Sequence, residues 1–320
     1  MDWTFLQRLS DAPSVATACE PVLTLVSDWL GGGVARRNGQ DSFALFTLAG
    51  ASLADLRCLM IAHVDEIGGC VLSDDKKGWY RTRCWGCSPM LYAQSKLQGM
   101  DYLASAPDSV FPIEGGLDIV GGELRLRVRG SGIRPYRTVF TFHTRSTIEG
   151  DHISGKALDP RATVFAVLSA FRSLNHPAVG VLLVMAEECF MDAARKAVVH
   201  LQRHAPGLRV LVNADVPSVA NLDDAKLEVP AIRPFEGRNI VDPGFSIRLS
   251  DQLAADGVIH QLSAARSGSQ TALFAPLAPT VSVALPGDRI HTECARMSLT
   301  GISRCTDLLA ALGGYALTEH

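Results

Sequence analysis

Residues 179–186, VGVLLVMA, form a continuous apolar run that two acids, Glu187 and Glu188, follow at once. A run without alternation is typical of a strand that is covered on both faces. We predict further buried strands at 43–48, 57–62, 208–214 and 279–285. Helices are predicted at 161–174, 192–204 and 296–313, and two more within 5–30, separated by a break at 12–14. Alternating strands and helices of this kind predict an α/β sheet with helices on both faces.

The middle third of the chain has a different pattern. Helical periodicity disappears between about 69 and 152, where 124–129 (LRLRVR) and much of 136–144 alternate between polar and apolar residues. Residues 74–78 (DDKKG) predict a turn between two strands, and several glycine pairs predict further turns. We therefore expect a small β domain at 69–152, inserted into an α/β domain made of 1–68 and 153–320.

The composition excludes several classes of protein. The chain has 320 residues, with 30 Lys and Arg against 33 Asp and Glu and a net charge of -3, so we expect no nucleic-acid surface. No apolar run approaches the roughly 20 residues that a membrane span requires. The charged residues Asp2 and Arg8 argue against a signal peptide, and eight scattered cysteines suggest reduced thiols. These observations predict a cytosolic protein that acts neither on nucleic acid nor in a membrane.

Polar side chains stand where the predicted strands of the α/β part end, or close to such ends. Ligands bind at the carboxyl ends of the strands in open α/β sheets, so these side chains are expected to share one cleft. They are His63 and Asp65, Asp159, Glu187 and Glu188, Asp215 and His291. Two imidazoles and three carboxylates can hold a pair of divalent metals, which leaves one acid as a general base.

The spacing of these residues leaves open which acid has which role. Asp65 stands two residues beyond His63, on the same face of an extended strand end, where it could orient the imidazole. The alternatives are structural: Asp159 could cap a helix that begins near Arg161, and His291 could be an ordinary loop histidine. Spacing alone also does not decide between the adjacent glutamates.

Six short segments, taken in order, give the chain a specific resemblance. They are LSDAPSVATACEPV (9–22), AHVDEIGGCV (62–71), SGKALDPRA (154–162), MAEECF (185–190), NADVPSV (213–219) and RIHTE (289–293). In order and approximate spacing they resemble the glutamyl aminopeptidase family of two-metal peptidases. That family includes tetrahedral aminopeptidases and enzymes also described as endoglucanases. The resemblance covers the whole chain and implies a mixed central sheet of the zinc-exopeptidase type, with an inserted β domain.

The resemblance also implies a role for each site residue. His63, Asp159 and Asp215 correspond to ligands of one divalent metal, Zn²⁺ or Co²⁺. Asp159, Glu188 and His291 correspond to ligands of a second, with Asp159 bridging the two. Glu187 corresponds to the general base that activates water, and Asp65 to the partner of His63. The implied activity is that of a metal-dependent aminopeptidase acting on peptides. Its subunits are expected to form homo-oligomers, from dimers up to twelve-subunit shells, with contacts at strand edges of the β domain such as 124–129.

The chain departs from the family pattern at three places. Pro160 stands where the family usually has a second Asp, and because an X-Pro bond adopts the cis form more readily than other peptide bonds, we predict a cis Asp159–Pro160 bond. The loop SGSQTAL (267–273) lacks the usual acid, and Cys189 and Phe190 replace a small pair. These changes leave open two other functions: a related metal-dependent amide hydrolase or deacylase, and a non-catalytic relative that keeps the fold.

Two further patterns receive no catalytic role. The C-x-x-C at 84–87 lacks both a second cysteine pair for zinc and a thioredoxin-like context, so we interpret it as a pair of buried or edge cysteines. His200 and His204 are four residues apart, but Leu201 stands where a zinc protease would have Glu. We expect these two histidines on a solvated helix face.

Overall fold

The apolar run that begins at Val179 forms a central strand of a large sheet in the computed structural model. The structure describes residues 1–39, 41–75, 77–189, 191–237, 239–240 and 242–318. In chain order the strands are β1 (Val34–Gly39), β2 (Phe43–Leu48), β3 (Cys58–His63), β4 (Gly68–Asp74), β5 (Tyr80–Trp85), β6 (Leu97–Asp101), β7 (Val110–Val120), β8 (Glu123–Arg129), β9 (Thr138–Phe142), β10 (Thr147–Glu149), β11 (His152–Gly155), β12 (Val179–Val184), β13 (Val210–Asp215), β14 (Ala231–Glu236), β15 (Asn239–Ile240), β16 (Gln261–Ala265), β17 (Thr280–Ala284) and β18 (Ala295–Ser298). The helices are α1 (Trp3–Asp11), α2 (Glu20–Leu30), α3 (Pro89–Gln94), α4 (Leu158–Leu174), α5 (Asp192–His204), α6 (Pro243–Ala255), α7 (Thr271–Phe274) and α8 (Leu299–Thr318), with short 3-10 turns at Leu53–Asp55 and Val219–Asn221.

The central sheet is mixed. Its order is β1-β2-β12-β3-β13-β17-β14-β15, and β16 pairs with β14. The four neighbours β12, β3, β13 and β17 run parallel to one another, whereas β2 and β14 pair antiparallel to them on either side. This arrangement confirms the predicted α/β class, and it places the carboxyl ends of four parallel strands side by side.

Helices cover both faces of this sheet because its strands are apolar on both sides. In β3, Met60 and Ala62 belong to one hydrophobic cluster, which also contains residues of α1, α2, α4 and α8. Leu59 and Ile61 of the same strand belong to a second cluster, with α5 and Phe274 of α7. The sheet therefore has no solvent-facing side at its centre, as the unalternating runs predict.

The middle of the chain folds into a closed barrel of order β4-β5-β8-β7-β6-β9. The β character predicted for this region is confirmed, although the short helix α3 was not predicted. Strand β8, which was expected to offer an edge for subunit contacts at 124–129, pairs with β7 along its length and with β5 through Arg127 and Val128. Closure thus covers one end of this strand, while residues 124–126 have ladder partners in β7 alone among the described residues. Subunit contacts at this edge stay a prediction.

The two short strands that follow the barrel pair with residues from near the other end of the chain. Strands β10 and β11 form a three-stranded sheet with β18, which comes from the far end of the chain. Residues 295–298 are consequently extended, and the closing helix begins at Leu299 rather than at 296. The Asp151 carboxylate accepts hydrogen bonds from the Thr300 amide and hydroxyl at that helix start. The division of the chain at 68 and 153 stays a prediction.

Two smaller expectations concern single side chains. All eight cysteines are free thiols. His204 is exposed as predicted, but His200 is not fully solvated, because its ring packs 5.2 Å from that of Phe43 and its Nε2 is buried.

Among the helices of the described residues, none combines the length and the apolar character that crossing a bilayer demands.

The two glycines Gly301 and Gly314 of α8 are a matched pair for testing the packing. A Cβ at Gly301 would lie 2.4 Å from the Leu227 carbonyl oxygen, whereas one at Gly314 would meet nothing within 4 Å. We predict that Gly301→Ala lowers the free energy of unfolding by about 1–3 kcal/mol through overpacking. Gly314→Ala should raise it by about 0.5–1 kcal/mol, because alanine favours the helix. Urea unfolding followed by circular dichroism measures both. Equal effects would contradict the packing of α8 against residues 227–228.

Candidate active site

The carboxyl ends of the parallel strands carry most of the predicted site. His63 is the last residue of β3 and Asp215 is the last residue of β13. Glu187 and Glu188 follow β12 after a short turn, and the loop after β17 carries His291. Because these four strands are neighbours, their ends bring side chains that are far apart in sequence to one edge of the sheet.

A first group of potential ligands consists of His63, Asp159 and Asp215. The Nε2 atom of His63 lies 3.2 Å from Asp159 Oδ1 and 3.6 Å from Asp215 Oδ1. One ligand atom from each residue lies within 4.8 Å of the others, a spacing that suits a single metal ion. His63 is almost completely buried, so the position of its ring is fixed by its surroundings.

A second group consists of Asp159, Glu188 and His291. The Nε2 atom of His291 lies 3.2 Å from Asp159 Oδ2 and 3.0 Å from Glu188 Oε1, and these atoms also lie within 4.8 Å of one another. Asp159 is therefore shared: its Oδ1 faces His63 and its Oδ2 faces His291. The structure brings together all five residues that the sequence suggested as metal ligands.

The helix start at α4 places Asp159 between the two groups. Asp159 interrupts the start of α4 with extended backbone angles (φ -85°, ψ 109°), which are typical of a residue that precedes a helix, but its carboxylate oxygens face the two histidines. The Asp159–Pro160 peptide bond is cis, which confirms the prediction made from the sequence.

Glu187 lies beside both groups but is a member of neither. The pKa of this carboxyl group is raised to about 8, mainly by burial, with an opposing effect of His63 and smaller contributions in the same direction from the acids Asp215, Glu188 and Asp65. Glu188 also has a raised pKa from burial, although its hydrogen bond with His291 acts in the opposite direction. The geometry thus separates the two glutamates, which spacing in the sequence left equivalent.

Asp65 holds the turn that carries both glutamates. Its Oδ1 accepts a hydrogen bond from the Glu187 amide at 2.9 Å, and its Oδ2 accepts one from the Glu188 amide at 3.1 Å. Its Oδ1 also lies 3.5 Å from Nδ1 of His63, which has no hydrogen-bond partner among the described residues. The sequence suggested a contact with His63. It did not indicate the two backbone hydrogen bonds.

The charges at the site are unbalanced. Burial lowers the pKa of both imidazoles, but hydrogen bonds with the carboxylates outweigh it: the pKa of His291 rises to about 11 and that of His63 lies well above its usual value. Burial raises the pKa of Asp159, yet its hydrogen bonds with the two histidines lower it to about 2. Five carboxyl groups surround two imidazoles, so a cation would be strongly favoured here. Imidazole and carboxylate are also the ligands that Zn²⁺ and related ions take, so the side chains fit a pair of divalent metals.

A buried ion pair lies beneath the strand end that carries His63. The Glu66 carboxylate accepts hydrogen bonds from Nζ of Lys156 at 2.7 and 2.9 Å, and from the Thr141 hydroxyl of barrel strand β9 at 2.8 Å. Arg161 donates a hydrogen bond to the Val64 carbonyl. Burial lowers the pKa of Lys156, although Glu66 acts in the opposite direction. These contacts tie the barrel to the α/β part directly behind the site, and no pattern in the sequence indicates them.

A second buried ion pair supports the loop at 267–273. Arg233 and Glu236 of β14 are both fully buried, with Nη2 3.2 Å from Oε2, and the Ser269 hydroxyl donates to the Glu236 carboxylate at 3.1 Å. Arg233 Nη2 also lies 3.7 Å from Asp215 Oδ2. The loop that lacks an acid of its own is thus in contact with a buried acid on a neighbouring strand. No signal in the sequence indicated this pair.

The site opens to solvent through a cleft of about 280 Å³. Besides the potential ligands and Glu187, it is lined by Val216, Pro217, Ser218, Asn221, Ser267, Gly268 and Ile290. Two residues of the unusual loop therefore face the cleft. Cys189 is half-buried next to it, and Phe190 lies outside the described residues.

Solved structures with a similar fold cover nearly the whole chain. The TET1 peptidase of Pyrococcus horikoshii matches with a TM-score of 0.81 at 17% identity, over 97% of this chain and 98% of that one. The aminopeptidase APDkam598 of Desulfurococcus kamchatkensis matches with a TM-score of 0.78 at 19% identity, over 97% and 93%. An endoglucanase of Thermotoga maritima matches with a TM-score of 0.69 at 15% identity, over 97% and 99%. At these identities the matches establish the fold.

The sequence itself identifies the family. A search of curated proteins finds no match. The family model of the M42 glutamyl aminopeptidases matches residues 122–308, which is more than half of the chain and includes four of the five potential ligands. The chain therefore belongs to the M42 glutamyl aminopeptidase family of metal-dependent peptidases.

Proposed function

We propose that this protein is an aminopeptidase that removes N-terminal residues from peptides in the cleft below His291, with two divalent cations and Glu187 as the general base. The observation that carries this proposal is the pair of ligand groups that share Asp159. Its two carboxylate oxygens face different histidines, which is the arrangement expected of a bridging ligand. The two ions would be Zn²⁺ or Co²⁺. One would be held by His63, Asp159 and Asp215, and the other by Asp159, Glu188 and His291.

The protein side chains and the ions would have separate tasks. When bound, a pair of divalent cations supplies Lewis acidity, which lowers the pKa of a shared water and polarises a carbonyl. Glu187 lines the cleft and belongs to neither ligand group. Its carboxylate, which two nearby cations would keep ionised, is placed to take a proton from water and to give it to the leaving amine. Asp65 holds the backbone of Glu187 and thereby sets where that carboxylate stands.

The family supports an exopeptidase in preference to a deacylase, because the chain belongs to the M42 glutamyl aminopeptidases. The four acids that line the cleft, Asp159, Glu187, Glu188 and Asp215, carry as much negative charge as two divalent cations carry positive charge. The choice of reaction is therefore supported by the family and not by the net charge of the cleft.

The shared ligand predicts unequal effects of two similar substitutions. Asp159→Asn removes a carboxylate from both groups, so the purified variant should bind neither of two Zn²⁺ ions tightly. Asp215→Asn removes a ligand from one group only and should keep one ion per subunit. Elemental analysis after dialysis measures both, with the wild-type protein expected to hold two. Equal losses in the two variants would contradict a bridging role for Asp159.

Replacing the general base should separate catalysis from metal binding. Glu187→Gln keeps the shape of the side chain but cannot accept a proton, so kcat should fall by roughly 10²–10⁴-fold while the metal content stays unchanged. Release of nitroaniline from aminoacyl nitroanilides, with zinc or cobalt added, measures the rate. Turnover close to that of the wild-type protein would contradict the assignment of Glu187.

Acylated substrates provide the control for the choice of reaction. The same anilides with an acetylated amino group should be cleaved far more slowly by the wild-type protein. Faster cleavage of the acetylated compounds would instead identify a deacylase. No cleavage of either series by metal-loaded protein would identify a non-catalytic relative.

Assembly is the remaining part of the proposal. The TET1 peptidase of Pyrococcus horikoshii can form a tetrahedron or a large octahedral shell. We propose that this chain also forms homo-oligomers, with residues 69–152 contributing to subunit contacts and substrate access. The barrel exposes the large apolar side chains of Leu103, Ile119 and Tyr136, each more than 70% accessible, which contacts between subunits would cover.

Light scattering after size-exclusion chromatography tests assembly directly. We predict a mass between that of a dimer and that of twelve subunits of 34.3 kDa. A monodisperse monomer over a wide range of concentrations would contradict the prediction. The cytosolic location inferred from the sequence also stays a prediction.

A further inference from the structure

The C-x-x-C turn of the barrel reaches the candidate active site. It begins in the last two residues of β5, and its Gly86 carbonyl oxygen lies 2.9 Å from Nδ1 of His291. The two residues are 205 positions apart in the chain. The contact therefore links the inserted barrel to a potential metal ligand of the α/β part.

His291 needs such a contact more than His63 does. The side chain of His63 is 3% accessible, whereas that of His291 is 36% accessible, so packing does much less to hold its ring. His291 also lies in a loop and has a positive φ of 59°, a conformation that non-glycine residues adopt only when their surroundings impose it. Its Nε2 faces Asp159 and Glu188, which leaves Nδ1 as the atom through which the ring can be oriented.

The turn that offers the carbonyl is itself held firmly. Gly86 has a φ of +84°, and a Cβ at this position would lie 2.0 Å from Cγ2 of Ile67. The hydroxyl of Tyr92, which is fully buried, donates a hydrogen bond to the neighbouring Trp85 carbonyl at 2.8 Å. Glycine is thus required for both the backbone conformation and the close approach, and the direction of the Gly86 carbonyl is set by the barrel.

We propose that the Gly86 carbonyl is a positioning group for His291: it accepts the Nδ1–H, and this leaves Nε2 as the nitrogen that would bind a cation held together with Asp159 and Glu188. A hydrogen bond at one ring nitrogen fixes the tautomer, which determines whether the other nitrogen can bind a metal. This inference rests on the proposed function and deepens it, because it makes the inserted barrel part of the second ligand group.

The inference also gives the C-x-x-C motif a role that does not use its sulfur atoms. Burial raises the pKa of Cys87 to about 11, and burial raises that of Cys84 as well. Thiols that stay protonated at neutral pH are poor nucleophiles and poor metal ligands. The part of the motif that contacts the site is the backbone at its glycine.

Two glycines of the barrel provide a matched test. Gly86→Ala places a methyl group against Ile67 and should turn the carbonyl away from His291. Gly78→Ala is the control, because Gly78, in the turn before β5, has a similar φ of +80° but nothing within 4 Å of its Cβ position. Both are made in the Asp215→Asn background, where only the group with His291 is complete, so that a zinc titration by calorimetry reports on that site alone.

We expect Gly86→Ala to weaken zinc binding at this site by roughly 10–100-fold, the usual cost of losing a partner of a ligating histidine. Gly78→Ala should bind zinc as its parent does. Circular dichroism and thermal unfolding establish that each variant is folded. If Gly86→Ala does not fold, Tyr92→Phe replaces it, since losing the hydroxyl that holds the Trp85 carbonyl should give a smaller loss of affinity at the same site.

The outcomes separate this inference from the proposal beneath it. Unchanged zinc affinity in folded Gly86→Ala, with normal binding in the parent, would overturn the role of Gly86 and leave the aminopeptidase proposal intact. Equal weakening by Gly86→Ala and Gly78→Ala would also overturn it, because the effect would then belong to the barrel as a whole. Absence of zinc binding in the wild-type protein would overturn both.

Discussion

Repulsion among acidic side chains is the constraint on which the site depends. Asp65, Asp159, Glu187, Glu188 and Asp215 meet at one buried edge of the sheet, around two imidazoles. Buried carboxylates are costly unless they are paired with positive charge. Without metal, the histidines supply part of that charge, as their raised pKa values indicate. Cations and protons therefore compete for the same lone pairs, and the arrangement is explained most simply as a place for divalent metals.

The rest of the fold holds this unfavourable cluster together. Four parallel strands fix the points from which the side chains leave the backbone, and both faces of the sheet are packed. Behind the strand ends, Glu66 with Lys156 and Glu236 with Arg233 form buried ion pairs that connect the site to the barrel and to the loop at 267–273. From the barrel, the Gly86 carbonyl contacts His291. Each part of the chain thus contributes a contact to the same centre.

The centre of the fold could be predicted from the sequence better than its periphery. Strands β12, β3, β13 and β17 were predicted because full burial leaves a continuous apolar run. Strand β14 was missed because it contains the buried charges Arg233 and Glu236, which interrupt any apolar pattern. The start of the closing helix was predicted too early because residues 295–298 pair with a strand more than a hundred positions away, and local periodicity does not report such pairing.

In the candidate site, too, some features could be predicted from the sequence and others could not. The ends of parallel strands converge, so His63, Asp215 and the two glutamates could be placed together from the sequence. Separating Glu187 from Glu188 required the family resemblance, since adjacent identical residues carry no distinguishing signal. The contacts made by backbone atoms, such as the amides that Asp65 binds and the Gly86 carbonyl, could not be predicted because every residue has these atoms.

The central claim is that these side chains hold two cations around one shared carboxylate. Anomalous X-ray scattering at the zinc absorption edge, from crystals grown with zinc, tests it most directly. The account predicts two strong peaks on either side of the Asp159 carboxylate, one against His63 and Asp215 and the other against Glu188 and His291. A single peak that avoids Asp159, or peaks only at the protein surface, would contradict it.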